Sequence, residues 1–175
     1  ASNLPYYITT PILFKLFEAK EPIERITVMM QKEVGARFLA TNCESEYNAL
    51  SVITQYRCDV KKIMDVSRHV FWPKPNVDSM VVQFTFHHKY HVENEDFFFE
   101  MVKACFQQRR KTIYNNLGQW LKDKKKAEEV LDQPMYGMNF SGTKLSDDEN
   151  DASSFYKRAQ QLSLDDFILL YEVLA

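Results

Sequence analysis

The hydrophobic pattern of this chain changes near His91, and that change limits the folds available to it more than any other feature. Before His91, segments with helical spacing alternate with short apolar runs that are typical of strands. After His91, the apolar residues recur at helical spacing. We therefore expect an α/β region over residues 1–91, followed by a small all-helical domain over residues 92–175.

The first region predicts half of an open α/β sheet. Ile26–Met30 is continuously apolar and partly β-branched, which is typical of a strand buried on both faces, as in a parallel sheet. Further strands are expected at Val60–Val66 and at Met80–Phe86, and in the latter apolar and polar residues alternate. The helices are expected to run from Thr10-Pro11 to before Pro22, over Glu33–Leu39 and over Glu46–Thr54.

The second region predicts three helices and one long loop. The helices are marked by an Asn94 cap, by an apolar stripe of Ile113, Leu117 and Leu121, and by a Ser163 cap before Leu164–Leu174. We interpret Gln133–Asp151 as a loop because it combines proline, glycine and acidic residues.

The charge of the second region is unevenly distributed. The whole chain carries a net charge of −2, which by itself does not identify a nucleic-acid-binding protein. Between Met101 and Lys126, however, eight basic residues stand against one acid, Asp123. A local basic zone on an otherwise acidic chain favours a polyanionic partner. We expect this zone on the face of the Ile113 helix that lies opposite its apolar stripe.

Composition excludes several classes of protein. No apolar run approaches the roughly 20 residues of a membrane span, and the N-terminus lacks the pattern of a secretory signal. The three cysteines are far apart, which argues against a disulfide framework or a zinc knuckle and suits a reducing cytoplasm. We therefore expect a cytoplasmic protein with no membrane partner.

The clearest candidate for chemistry is the corner Asn3-Leu4-Pro5-Tyr6. The amino group of adenine is a poor nucleophile because its lone pair is delocalised into the ring. The Asn3 side-chain carbonyl and the Leu4 backbone carbonyl can accept hydrogen bonds from that group, which turns the lone pair toward an incoming methyl group. Pro5 fixes the turn without a competing N–H, and Tyr6 can stack on an extruded base. The alternative is a simple turn between a strand and a helix.

Two further segments offer contacts to RNA. Phe71-Trp72 stands in a loop braced by two prolines, and such a loop can present an aromatic ring to a base. The alternative is that these rings cover the sheet core, which is our interpretation of Trp72. Arg109-Arg110-Lys111, expected at the start of a helix, can contact phosphates, and the alternative is a solvated helix face.

A histidine cluster follows the last predicted strand, but we expect no metal site there. His87 and His88 are adjacent in the sequence and would point to opposite sides of a strand. Neither they nor His91 have a carboxylate at the spacing of a metal ligand.

Four segments of the chain occur in the order that is found in one known family. They are Asn3-Leu4-Pro5-Tyr6 with Thr9-Thr10-Pro11, Met30–Val34 with Arg37, Val70–Ser79, and Phe106–Thr112 with Asn115-Asn116-Leu117. Together they resemble the ribosomal RNA adenine dimethyltransferases of the KsgA type, over roughly residues 2–120.

The resemblance implies that residues 1–91 form the C-terminal half of a Rossmann-like class I methyltransferase sheet and that residues 92–175 recognise RNA. It implies methyl transfer from S-adenosylmethionine to two adjacent adenines near the 3′ end of small-subunit (16S) ribosomal RNA, in a 30S-type particle. The implied site has Asn3, Leu4, Pro5 and Tyr6 as catalytic residues, Asn3 also at the cofactor, Tyr6 and Phe71 around the base, and Arg109, Arg110 and Lys111 facing RNA.

The resemblance also implies that most of the cofactor site precedes the catalytic corner. That part of the family's site uses a Gly-rich turn and an acidic residue that this sequence does not contain. We therefore expect the chain to be the C-terminal portion of a longer enzyme, inactive alone and with negligible affinity for S-adenosylmethionine. Two alternatives stay open: a non-catalytic fragment that binds RNA or the ribosome, and the related branch that methylates large-subunit RNA, which Arg109-Arg110-Lys111 disfavours.

Overall fold

The structure is a computed structural model that describes residues 2–3, 6–17, 23–132 and 157–175, with the backbone alone at residues 2–3, 6–8 and 132. Within these ranges it contains four strands and seven α-helices. In chain order they are β1 (Ser2–Asn3), α1 (Tyr6–Phe17), β2 (Arg25–Gln31), α2 (Lys32–Leu39), α3 (Ala49–Arg57), β3 (Cys58–Val66), β4 (Ser79–Phe86), α4 (Glu95–Cys105), α5 (Ile113–Leu121), α6 (Lys124–Asp132) and α7 (Leu164–Leu174). Single turns of 3-10 helix occur at Arg68–Val70 and Ala159–Gln161.

The four strands form one mixed sheet in the order β1-β2-β4-β3. β1 is parallel to β2, whereas β4 is antiparallel to both of its neighbours. β1, β2 and β3 therefore run in the same direction, and their carboxyl ends lie at the same edge of the sheet. We call this the carboxyl edge. It is formed by Asn3, Gln31 and Val66, where these strands end, and by Ser79, where β4 begins. The expected α/β class is confirmed.

Strand β2 is buried on one face, so the expectation of a strand buried on both faces is wrong. Val28 and Met30 are buried, whereas the side chains that alternate with them are half-buried or exposed. On the buried face, Phe17 of α1 and Phe38 of α2 contact the Phe84 ring of β4 at centroid distances of 5.6 and 5.2 Å. A continuous apolar run did not reveal which side of the strand the helices cover.

Gly35 sets the distance between α2 and the sheet. A Cβ atom at this position would lie 2.6 Å from Met80 Cγ and 3.3 Å from Val82 Cγ2. Both side chains belong to β4 and are buried. Since buried neighbours have little room to move, any larger residue at position 35 would push the helix away from the sheet.

Helix α1 begins earlier than expected. The sequence predicts a start at Thr10-Pro11, whereas the helix begins at Tyr6 and contains Pro11. A proline inside a helix leaves one carbonyl of the preceding turn without its backbone donor. Pro11 nevertheless lies inside the helix, so it does not mark the start of the helix.

Helix α3 begins later than expected, at Ala49 rather than at Glu46. The reason is a side-chain cap. Asn48 Oδ1 accepts hydrogen bonds from the Leu50 and Ser51 amides at 2.9 and 3.3 Å. These bonds satisfy donors that the first turn of a helix leaves free, so the helix starts directly after Asn48.

The chain divides into two compact units. The first comprises residues 1–40 and 54–91 and contains the sheet, and the second comprises residues 41–53 and 92–175. Residues 41–53, which the sequence expectation placed with the first region, thus belong to the second unit.

The second unit is built around helices α4 to α7. Segment 41–53 is attached to it through Tyr47, whose hydroxyl donates a hydrogen bond to the Leu162 carbonyl at 2.9 Å. The Tyr47 ring also packs edge-on against Phe106 at 5.7 Å. The most deeply buried side chains of the helices are Phe98, Met101, Leu117, Phe167 and Leu170.

The caps expected for α4 and α7 are confirmed. The Asn94 side chain accepts a hydrogen bond from the Phe97 amide at 3.1 Å. Ser163 and Asp166 bond reciprocally to each other's backbone amides, at 3.2 and 2.8 Å. The expected loop Gln133–Asp151 lies outside the described residues. Across the described ranges, the helices lack the length and apolar character that crossing a membrane requires.

A two-residue turn, Lys122-Asp123, separates α5 from α6. Lys122 adopts a left-handed conformation, with φ of 56°, and Asp123 caps α6 by accepting a hydrogen bond from the Lys126 amide at 3.1 Å. The basic residues are consequently spread over α4, the turn that follows it, the turn after α5, and α6. The expectation that they share one face of the Ile113 helix is wrong, because that helix ends before the lysines begin.

Candidate functional site

The topology brings the predicted catalytic corner to the carboxyl edge. Asn3 is the last residue of β1 and Tyr6 is the first residue of α1, so the corner joins this edge to a helix. Leu4, Pro5 and the side chains of Asn3 and Tyr6 lie outside the described part of the structure, and their roles stay predictions. Open α/β sheets bind ligands beyond the carboxyl ends of their strands, which is where the corner begins.

Loop 67–78 reaches the same edge, because it joins the end of β3 to the start of β4. The Asp78 carboxylate accepts a hydrogen bond from the Arg68 backbone amide at 3.0 Å and lies 3.4 Å from Arg68 Nε. The Arg68 guanidinium also donates to the Asn76 carbonyl at 2.6 Å. These contacts tie the two ends of the loop to each other.

The start of α2, directly after β2, is joined to this loop through Lys32. Its backbone amide donates to the Asp78 carbonyl at 3.0 Å, and its ammonium group lies 3.9 Å from the Asp65 carboxylate near the end of β3. Lys62 donates to the same carboxylate at 3.0 Å. A polar network therefore connects the ends of β2 and β3 with the start of β4. Sequence reasoning missed this network because its partners are brought together by the sheet register.

The two aromatic residues of loop 67–78 have different environments. Phe71 is half-buried, and its amide donates to the Arg68 carbonyl at 3.4 Å. Trp72 is 97% exposed, so our interpretation that it covers the sheet core is wrong. Phe71 has an extended backbone, with φ of −107° and ψ of 148°.

Hydrogen bonds and neighbouring cations keep two carboxylates at the carboxyl edge ionised. The pKa of Asp78 is lowered, chiefly by the hydrogen bond from the Arg68 amide and then by the charges of Arg68 and Lys32. The pKa of Asp65 is lowered chiefly by the hydrogen bond from Lys62. At neutral pH these carboxylates are therefore charged and paired, and they serve to fix the loop and strand ends.

The predicted RNA-contacting residues lie in the second unit, in the turn between α4 and α5, just before the Thr112 cap. Arg110 and Lys111 are exposed, and their side chains have no hydrogen-bond or ion-pair partner in the described ranges. The Arg109 guanidinium, in contrast, donates to the Ser45 backbone carbonyl. The three basic residues are therefore not equivalent, since Arg109 also holds segment 41–53.

The sequence did not point to Asn116, a buried amide that shapes this turn. Its Nδ2 donates to the Cys105 carbonyl at 2.8 Å and to the Gln108 carbonyl at 3.2 Å. The first of these carbonyls ends α4, and the second lies in the turn that carries the basic residues. A polar residue beside Leu117 of the apolar stripe was the available signal.

The histidines are placed as surface and packing residues. His87 lies 3.9 Å from the Asp59 carboxylate and packs against the Tyr90 ring at 5.7 Å. His88 and His91 are exposed. In the part of the chain that the structure describes, no three histidine, cysteine or carboxylate side chains lie close enough together to hold a metal ion.

Solved structures define the class of protein. A dimethyladenosine transferase from Plasmodium falciparum superposes with a TM-score of 0.74 at 27% sequence identity, over 96% of this chain and 63% of that one. The 23S rRNA methyltransferase ErmE has a TM-score of 0.60 and covers 98% of this chain and 63% of its own, and at 23% identity it shows the fold alone. The fold is that of about two thirds of a dimethyladenosine transferase.

Sequence comparison gives the family. The family described as "Ribosomal RNA adenine dimethylase" matches residues 1–136. The ribosomal RNA small subunit methyltransferase A of Bacillus cytotoxicus is 43% identical over 175 residues, which is 99% of this chain and 56% of that protein. The protein of the same name from Bacillus mycoides is 52% identical over 134 residues, or 75% and 46% of the two chains. The chain belongs to the ribosomal RNA adenine dimethylase family, and it spans about half the length of these curated relatives.

Proposed function

We propose that this chain is the adenine-holding part of an enzyme that dimethylates two adjacent adenines near the 3′ end of small-subunit ribosomal RNA. The observation that carries the proposal is topological. The corner follows β1, and loop 67–78 follows β3. Because these two strands run in the same direction, both segments begin at the carboxyl edge. Two segments with the residue types of a base-binding site thus begin at one edge of one sheet.

The chemistry assigned to the corner is nitrogen activation. Before the first transfer, the Asn3 amide oxygen and the Leu4 carbonyl accept hydrogen bonds from both N–H groups of the target adenine, so its lone pair turns toward the methyl donor. Each transfer releases one N–H proton to solvent, so a single N–H group remains for these acceptors before the second transfer. As the methyl group is transferred, positive charge develops on that nitrogen. Fixed acceptor dipoles stabilise this charge more than they stabilise the neutral ground state, which is the condition for catalysis.

Tyr6 and Phe71 are proposed to hold the extruded base between their rings. Removing a base from its stack costs a few kcal/mol, and stacking on an aromatic side chain returns about 1–3 kcal/mol per base. Two rings therefore suffice to offset the extrusion. The half-buried position of Phe71 supports this role, since a ring fixed by its surroundings loses little freedom on binding.

The methyl donor is S-adenosylmethionine, which supplies an electrophilic methyl group. Asn3 is the residue of this chain that we assign to the cofactor as well as to the adenine. We expect the 175 residues alone to bind S-adenosylmethionine negligibly, and calorimetric titration measures this directly. Binding at micromolar concentration would contradict the assignment of most of the site to another region of the enzyme.

The RNA partner is assigned to the basic turn of the second unit. Arg110 and Lys111 have cationic groups with no side-chain partner among the residues that the structure describes, and each can neutralise a phosphate. The named relatives at 43% and 52% identity are small-subunit enzymes, which favours a 30S-type particle in the cytoplasm over large-subunit RNA. A non-catalytic RNA-binding role is the second candidate, because the chain spans only 56% of the Bacillus cytotoxicus relative.

The test of the substrate is a chimera that joins the N-terminal part of the Bacillus cytotoxicus protein to residues 1–175. It is incubated with S-adenosylmethionine and undermethylated 30S or 50S particles, and modified nucleotides are mapped by mass spectrometry. We expect dimethyladenosine at two adjacent positions of small-subunit RNA. Modification of large-subunit RNA alone would assign the chain to the other branch.

A further inference from the structure

Loop 67–78 exposes a cluster of apolar side chains. Trp72 is 97% exposed, Val70 71% and Val77 42%. Tryptophan is highly buried on average, so a ring that is almost fully exposed is unusual. Exposed apolar clusters mark binding surfaces more often than chance placement does.

The loop that carries Trp72 is held by its own contacts. Arg68 bonds to Asp78 and to the Asn76 carbonyl, and the Lys32 amide bonds to the Asp78 carbonyl. The ends of the loop that carries this ring are thus fixed before a partner arrives, so binding costs less backbone conformational entropy.

The charge around this ring is positive. Arg68 is paired with Asp78, the acidic residue of the loop. Lys74, two residues after Trp72, is exposed and has no ion pair with any residue in the described ranges. An exposed aromatic ring beside a free cation is the combination that binds single-stranded nucleic acid, in which the ring stacks on a base and the cation meets the backbone phosphate.

Phe71 and Trp72 are neighbours with different surroundings, which suits them to different bases. The Phe71 ring is half-buried, whereas the Trp72 ring is exposed. If Phe71 faces the target adenine, Trp72 faces a different nucleotide.

We propose that Trp72 is a stacking platform for an unpaired nucleotide that neighbours the target adenine, with Lys74 at the adjoining phosphate. This inference rests on the proposed function, because it requires RNA at the carboxyl edge. It goes beyond that function by assigning Trp72 to substrate positioning and by requiring the flanking RNA to be single-stranded.

The test uses the tryptophan itself as the reporter. The chain contains two tryptophans, and Trp120 packs against Phe97 in the second unit. Trp120→Phe leaves Trp72 as the sole tryptophan. A single-stranded RNA containing two adjacent adenines is titrated in, and tryptophan emission and acrylamide quenching are recorded while RNA binding is followed independently by anisotropy of a labelled strand. We expect loss of Trp72 emission and loss of acrylamide access on binding.

Affinity variants complete the test. Trp72→Ala should weaken binding of the single strand about tenfold, and Trp72→Phe should retain most of the affinity, as expected for stacking. Val77→Ala is the matched control, because it removes an exposed apolar side chain of the same loop without removing a ring. A duplex of the same sequence should bind wild type and Trp72→Ala equally. Thermal unfolding is measured for each variant, and no change is expected for an exposed ring.

The failures of the two proposals are distinguishable. If RNA binds by anisotropy but Trp72 stays accessible to acrylamide, the platform is refuted and the RNA-binding function stands. If RNA does not bind at all, both are refuted. If Trp72 is shielded without RNA, in proportion to protein concentration, its partner is another copy of the chain and the platform is refuted.

Discussion

The Asp78 carboxylate accepts a hydrogen bond from the Arg68 backbone amide at 3.0 Å, although the two residues are ten positions apart in the sequence. This bond closes the loop that follows β3, and the Lys32 amide at the start of α2 bonds to the Asp78 carbonyl. Asp78 therefore holds the loop at the carboxyl edge through both its carboxylate and its backbone carbonyl.

Asp78 should make the loop sensitive to acid. Its pKa is lowered in the folded protein, chiefly by the Arg68 amide, so its ionisation stabilises the fold above the unfolded pKa of about 3.9. That contribution is lost as the pH falls through the lower pKa that Asp78 has in the folded protein. Denaturant titrations between about pH 5 and about pH 2 should show a smaller loss of stability for Asp78→Asn than for wild type.

A site-specific measurement separates the contribution of Asp78 from that of other carboxylates. Hydrogen exchange of the Arg68 amide should lose protection in Asp78→Ala, which removes the acceptor, and keep it in Asp65→Ala, since Asp65 bonds to Lys62 instead. Equal protection of the Arg68 amide in wild type and Asp78→Ala would show that the bond does not hold the loop.

Gly35→Ala should destabilise the first unit. The new methyl group would lie 2.6 Å from Met80 Cγ, and overpacking of this kind costs about 1–3 kcal/mol, against a gain in helix propensity of about 1 kcal/mol. We expect a net loss of about 1 kcal/mol in urea titrations. In a Met80→Ala background, Gly35→Ala should become neutral or stabilising.

Gly118→Ala is the matched control. Its Cβ would lie 3.2 Å from Lys124 Cγ, on an exposed and flexible side chain that can move aside. This substitution should therefore be neutral or stabilise α5 by up to about 1 kcal/mol. A loss as large as that of Gly35→Ala would mean that α5 and α6 are packed as tightly as α2 and the sheet.

Arg110→Ala should weaken RNA binding without loss of stability. Arg110 has no side-chain partner in the described part of the chain, and removing one phosphate contact lowers the salt slope of log K by about 0.7–1. Arg109→Ala should weaken binding and also lower the unfolding midpoint, because its bond to Ser45 is lost. Lys15→Ala, which removes an exposed cation from α1, should change neither RNA binding nor the unfolding midpoint. A salt slope that Arg110→Ala leaves unchanged would remove this residue from the interface.

Asn116→Ala should impair both folding and RNA binding. The substitution removes the side-chain donor of the buried Cys105 carbonyl, and an unsatisfied buried group costs about 1–3 kcal/mol. The Gln108 carbonyl loses one of its two donors and keeps the Lys111 amide at 2.9 Å. Asn115→Ala is the neighbouring control, since the Asn115 amide bonds to the exposed Thr112 hydroxyl at 2.8 Å. We expect a much smaller loss of stability there. Wild-type RNA affinity in a folded Asn116→Ala variant would show that the shape of the turn is unimportant for binding.

Local signals predicted much of this fold. The Ser163 cap and Asp166, three residues apart, were sufficient to place α7, because a capping box is a short-range interaction. The alternation in Met80–Phe86 placed β4, because one face of that strand is buried. The end of α5 was missed because the Asp123 cap interrupts a run of lysines that has no apolar period of its own.

The long-range pairing of residues could not be predicted from the sequence. Lys32 and Asp78 meet because β2 and β4 pair with Gln31 opposite Ser79, and no local pattern encodes that register. The exposure of Trp72 was mispredicted for a related reason: residue type indicates that a ring prefers burial, but the direction in which a closed loop points it depends on contacts at the loop ends.

The most direct test of the central claim compares Asn3 with Asn3→Ala in the chimera with the Bacillus cytotoxicus N-terminal part. Methyl transfer from labelled S-adenosylmethionine to 30S particles is measured under single-turnover conditions, with RNA affinity measured in parallel. We predict that Asn3→Ala lowers the transfer rate by about 100-fold or more, as loss of a transition-state hydrogen-bond partner does elsewhere, while RNA affinity is unchanged. A transfer rate equal to that of the unsubstituted chimera would contradict the assignment of the corner as the catalytic site.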